Sequence, residues 1–193
     1  MFNWISFLTY AVITAATPGP NNIMSMSNAG RLGFKKSFRF NLGIWVGFTV
    51  VMMICTTLSK AFHTILPAVK TPMLAIGAAY MLWLAWQTFK SSSEFEEKQV
   101  RNSFYSGLLL QFVNPKIYIY GIVSMEAYIL PFYQEDVGML LAFAVLLSTI
   151  GFISTLCWAV FGSLFKLLFS RYARVTNTVM ALLLVYCAAS LFM

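Results

Sequence analysis

Thr17-Pro18-Gly19-Pro20-Asn21-Asn22 cuts into the first apolar run of the chain, the segment 4–28. The string starts about 14 residues into that run, roughly 20 Å along a helix. If the run crosses a bilayer, the string sits well inside the hydrocarbon. Neither Pro18 nor Pro20 offers an N–H, so the carbonyls of Thr14 and Ala16 lose their helical donors. Each proline also drives its predecessor out of the α region. The helix must stop and start again, with Asn21 or Asn22 suited to cap the second piece. Irregular backbone at such depth is tolerated only against protein or a polar cavity. The break leaves carbonyls on one side and N–H groups with a positive dipole end on the other. A zwitterionic α-amino acid carries the matching pair, an ammonium and a carboxylate. Thr17, Pro18, Gly19, Pro20, Asn21 and Asn22 are therefore candidate substrate-binding residues; a kink that only shapes packing is the plainer alternative.

The composition around this string points to a membrane. Of 193 residues, 60% are hydrophobic and 10% charged, where soluble chains carry about 45–50% and about 25%. Aromatic residues reach 17%, which argues against disorder. The acids are Glu94, Glu96, Glu97, Glu126, Glu135 and Asp136, so none precedes residue 94. A net charge of +7 would suggest nucleic acid as the partner of a soluble chain. Here it is the excess that the positive-inside rule requires. A soluble enzyme and a nucleic-acid reader are set aside.

Segments 4–28, 41–62, 71–89, 104–130, 138–163 and 176–193 meet or approach the length of about 20 apolar residues that crosses a bilayer. The chain thus reads as all-α and polytopic, one transmembrane domain over 1–193 with six spans. The first run has no basic flank and no small-residue cleavage site, so it is expected to remain as a helix. Basic residues collect in alternate connections. Arg31, Lys35, Lys36 and Arg39 lie in 29–40, Lys90, Lys98 and Arg101 in 90–103, and Lys166, Arg171 and Arg174 in 164–175. The opposite side has only Lys60 and Lys70, with Glu135 and Asp136 in 131–137. The basic connections are therefore cytoplasmic and both termini face out. Membrane lipid is a second partner, since Phe34, Phe38 and Phe40 interleave with the 29–40 cations and could rest on an anionic surface.

Phe7 precedes Pro18 by the same spacing that separates Phe104 from Pro115, at an offset of 97. Repeat 1 (1–93) and repeat 2 (104–193) then hold three spans each, joined by a cytoplasmic linker at 90–103. An odd number per copy inserts the second copy upside down, the inverted-topology repeat of many secondary transporters. Spans one and four are the broken ones.

In the second copy the corresponding string is Gln111, Asn114, Pro115 and Lys116. Lys116 lies near mid-span, where a charge costs at least about 2.5–3.5 kcal/mol and faces the bundle interior or a wet cavity. It could attract a substrate carboxylate, carry the exchanged proton, or bind carbonyls freed by the break. Gln111, Asn114 and Lys116 join the substrate-binding candidates, and Lys116 and Glu126 are the proton-coupling candidates. Glu126 stands about 15 Å further along a helix, where an interfacial position is the simpler reading. No other acid lies in a span, so a substrate with a second positive charge would find no counter-charge. A small, neutral amino acid fits better.

Gly43 and Gly47 allow close helix contact, within the subunit or between two copies of a homo-oligomer. Trp4, Trp83, Trp86, Tyr128 and Tyr133 read as interface anchors. Cys55, Cys157 and Cys187 sit in separate apolar stretches and read as small buried side chains. His63, at the outer end of the second span, is the only histidine, which excludes a His-pair metal site. No cofactor or metal is expected, and no phosphate-binding loop or hydrolase motif occurs.

Thr17 to Asn21, the Gly43/Gly47 spacing and Asn114-Pro115-Lys116 resemble the most specific motifs of the lysine-exporter/homoserine–threonine-exporter family, and the similarity runs over essentially the whole length. The resemblance implies a bacterial inner-membrane protein with periplasmic termini. It implies efflux from cytoplasm to periplasm by proton antiport. It also implies small neutral cargo such as cysteine or O-acetylserine. Two readings from other classes remain beside it, a passive solute channel and a non-transporting membrane scaffold.

Overall fold

The computed structural model describes residues 2–57, 59–90, 103–165 and 171–189, with backbone alone at 57, 59–70, 73 and 173. Among these residues all regular structure is helical. Helix α1 (Trp4–Ala16) starts at Asn3, whose side-chain oxygen accepts from the Ser6 N–H at 3.1 Å. It buries only Phe7 and Ala11, while Ile5, Val12 and Ile13 lie exposed. That is an apolar face left uncovered by the rest of the described chain. After the break at 17–19 the chain continues as α2 (Pro20–Leu32). The two helices invert the usual pattern. α2 is rich in Asn and Ser, yet Asn21, Asn22, Ser25, Ser27 and Asn28 are all buried.

Helix α3 (Phe34–Thr57) follows α2 after a single residue, Gly33, whose φ of 85° suits glycine. The expected connection at 29–40 is therefore a one-residue hinge: Arg31 ends α2, and Lys35, Lys36 and Arg39 open α3. The expected loop at 63–70 is corrected as well. It lies inside α4 (Ser59–Lys90), because a helix can run on past its apolar stretch and tolerate the drop in hydropathy there. His63 falls on this backbone-only stretch, and most of the linker (91–102) and Lys166 lie outside the described residues.

Helices α5 (Phe104–Val113) and α6 (Pro115–Ser124) meet at Asn114. α5 is bent by 65° from the piece that follows, Pro115–Tyr133. That piece contains a wide turn over Met125–Ile129, closed by Leu130 N–H on the Met125 carbonyl, and the short α7 (Leu130–Tyr133). Pro131, without an N–H, accounts for the widened ladder. Asp136 caps α8 (Val137–Leu164) by accepting from Met139 N–H at 3.0 Å, and α9 (Ala173–Ala189) follows. Among the described residues, Phe34–Thr56 and Val137–Leu164 are long and apolar enough to cross a membrane, and the bent pair makes a third span if counted as one.

Glycines set the closest approaches. A methyl group at Gly43 or Gly47 of α3 would overlap backbone of Phe104 or Leu108 on α5, and one at Gly107 would overlap backbone of Phe40. The paired glycines thus join two helices of one chain. Two separate cores result. One gathers Phe7 and Ala11 of α1, Phe48 and Met52 of α3, Tyr120 of α6 and Leu147 of α8. The other gathers Ile23 of α2, Ile44 of α3, Leu110 of α5 and Leu184 of α9. Each broken span leaves one core at its break and enters the other, in opposite directions.

Candidate functional site

The site is built from the two breaks. Every carbonyl from Ile13 to Gly19 has a donor. Thr17 N–H reaches Ile13 O at 3.0 Å and the Thr17 hydroxyl donates to Thr14 O at 2.7 Å. Ala15 O accepts from Asn22 Nδ2 at 2.8 Å and Ser154 Oγ at 2.9 Å. Trp158 Nε1 donates to Ala16 O at 3.2 Å. Thr17 O accepts from Asn22 Nδ2 at 2.9 Å and Lys116 Nζ at 2.8 Å. Cys187 Sγ lies 3.9 Å from Pro18 O, and Ile23 N–H closes on Gly19 O at 2.9 Å. The expectation of bare carbonyls is corrected: side chains from α2, α6, α8 and α9 fill them, since buried carbonyls left empty are costly.

The N–H side of the break differs. Gly19 offers α2 no side-chain cap and Pro20 has no N–H. The second break is closed: Asn114 Oδ1 accepts from Lys116 N–H at 3.2 Å. Asn21 ties the two breaks together. Its Nδ2 donates to Gln111 Oε1 at 2.8 Å, and its Oδ1 accepts from Gln111 Nε2 at 3.1 Å and Asn114 Nδ2 at 3.2 Å. Gln111 Nε2 also donates to Gly107 O at 2.7 Å. Gln111 is fully buried and does not line the cavity.

That cavity measures about 30 Å³ and is partly open, with room for water-sized molecules. Gly19, Pro20, Asn21, Asn22, Asn114 and Lys116 line it, together with Phe48, Tyr120 and Thr155. Lys116 enters it from α6 and holds both Thr17 O and Thr17 Oγ1, at 2.8 Å and 2.9 Å. A Cβ on Gly19 would lie 2.9 Å from Lys116 Cδ. Since φ at Gly19 is −168°, an extended value open to any residue, the glycine serves this close approach. Glu126 is exposed in the wide turn and does not line the cavity.

Ser154, Trp158, Phe48, Tyr120 and Cys187 are participants that the sequence did not reveal. Ser154 and Trp158 reach the break from 139 and 142 residues away. Within apolar runs no local pattern marks them.

A family model, LysE type translocator, matches residues 12–193. The chain belongs to the LysE type translocator family. This translocator is similar to the cysteine/O-acetylserine efflux proteins of Escherichia coli (strain K12) and Shigella flexneri, at 42% identity over 188 residues, covering 97% of this chain and 96% of each relative. No solved structure matches it. Family and apolar helices together make it a membrane protein.

Proposed function

We propose that this translocator is a secondary-active exporter of small neutral amino acids, cysteine, O-acetylserine or a close analogue, from cytoplasm to periplasm in exchange for protons. In this reading six spans form two inverted three-helix halves in the bacterial inner membrane, with both termini periplasmic. The observation that carries it is the meeting of two broken helices across the Asn21–Gln111–Asn114 bonds, beside a cavity lined by the N-terminal residues of α2. Amides and a positive dipole end favour a carboxylate there. Thr17 O and Thr17 Oγ1, which hold the Lys116 ammonium, are oxygens of the kind a substrate ammonium takes, while Asn21, Gln111 and Asn114 hold the two breaks in register. The lining carries no carboxylate, so a second positive charge on the cargo would go uncompensated. The relatives' printed names, cysteine/O-acetylserine efflux protein, supply the substrate class.

Proteoliposomes test the proposal. An imposed inward proton gradient should drive accumulation of labelled cysteine or O-acetylserine in the opposite sense, and unlabelled substrate inside should give counterflow. Flux indifferent to the gradient would mean a passive channel. Purified protein that binds no labelled amino acid would mean a scaffold.

A further inference from the structure

The position of Lys116 goes beyond a permanent fixture of the site. Its Nζ is a tethered alkylammonium, chemically the same group as the α-ammonium of an amino acid. It rests on Thr17 O at 2.8 Å and Thr17 Oγ1 at 2.9 Å, the two oxygens that the exporter reading assigns to the substrate's ammonium. The arm lies against Gly19 and its ammonium occupies both oxygens, so arm and an α-ammonium cannot hold them together. No carboxylate ties the ammonium in place among the described residues. The titratable groups around it are the Cys187 thiol of α9 and Tyr120 of its own helix. From α1, α3 and α8 the cavity receives Thr14, Ala15, Phe48, Gly151 and Thr155, and α4 presents Gly77 to Pro115.

We infer that protonated Lys116 is a built-in competitor for the substrate's ammonium subsite, so that substrate enters as the lysine gives up its proton. This rests on the exporter reading and deepens it. An ammonium holds the two oxygens by charge-assisted bonds, roughly twice as strong as those of a neutral amine. When a zwitterion arrives, one N–H bond of the lysine ammonium breaks. Its electron pair stays on Nζ, and the proton passes to water on the side to which the site is open. The neutral arm withdraws and the α-ammonium takes Thr17 O and Oγ1. After release outside, Nζ takes up a proton there and returns to the oxygens. One proton thus moves inward for each amino acid moved outward. The loaded site carries no net charge and the returning one carries +1, so an inside-negative potential drives the return.

The experiment uses the whole protein in detergent with labelled cysteine kept reduced, between about pH 5.5 and about pH 7.5, where the substrate thiol stays protonated. Wild type should release about one proton per substrate bound, and its Kd should rise about tenfold for each unit the pH falls while the lysine is charged. Lys116→Arg, permanently charged, should lose binding at every pH. Lys116→Met should bind with no pH slope, and in proteoliposomes it should no longer accumulate substrate in response to a proton gradient. Monodisperse elution checks that the variants fold, and the wild-type proton count stands without them. Binding without proton release, retained binding by Lys116→Arg, or loss of binding by folded Lys116→Met would overturn the competition and leave export standing. Wild type that binds no amino acid would overturn both.

Discussion

At the scale of single residues, Asn22 shows how a helix break is made safe. Its Nδ2 closes Ala15 O and Thr17 O at once, at 2.8 Å and 2.9 Å. Asn22→Ala should destabilise the protein by about 0.5–1.5 kcal/mol per hydrogen bond lost, since Ser154 Oγ and Lys116 Nζ still reach the two carbonyls. Thermal unfolding in detergent measures it, and an unchanged midpoint would contradict the assignment. Asn21 and Gln111 exchange two hydrogen bonds, so their substitutions should not add. A double-mutant cycle of Asn21→Ala and Gln111→Ala should give a coupling of at least about 0.5 kcal/mol. Pro18 and Pro20 made the break legible in the sequence, because a missing N–H is a local fact. The job of Gln111 was not legible: its type suggested a ligand contact, while its place behind the cavity depends on a partner in the other half of the chain.

Among the elements, α2 departs furthest from what its composition suggests. Low hydropathy and the cations that follow made its end read as the start of a loop. Yet it lies inside the bundle because α8 passes close enough for Gly162 to meet the Met26 backbone, where a side chain on that glycine would overlap it. Ser25 Oγ and Asn28 Nδ2 are buried there without hydrogen-bond partners. The glycine spacing of α3 was legible, and the fold adds what it faces: the backbone of Phe104 and Leu108 on α5, with Gly107 meeting Phe40 in return. Gly43→Leu or Gly107→Leu should therefore prevent assembly of the two helices, read as loss of the monodisperse peak on size exclusion. A surface change on the lipid side of α1, such as Ile13→Leu, should leave that peak in place.

For the molecule as a whole, hydropathy located long helices while charge distribution bears on sidedness alone. The long helices α3 and α8 follow from apolar runs, and the two breaks from prolines. The boundaries near 29–40 and 63–70 did not follow, since a glycine hinge and a helix running past its apolar stretch leave no dip that separates them from loops. Sidedness rests on the arginines and lysines. Reporter fusions should give both termini the signal of the periplasmic side, and a cytoplasmic signal at either end would reverse the direction assigned to transport. The two cores share no buried residue, and both broken spans switch between them at the level of the cavity. Helix α3 and the two broken spans are the elements that both layers have in common. On the proposed export cycle, a chamber between two such layers would work as an airlock, and the lysine arm would be the passenger that keeps its seat occupied on the empty run.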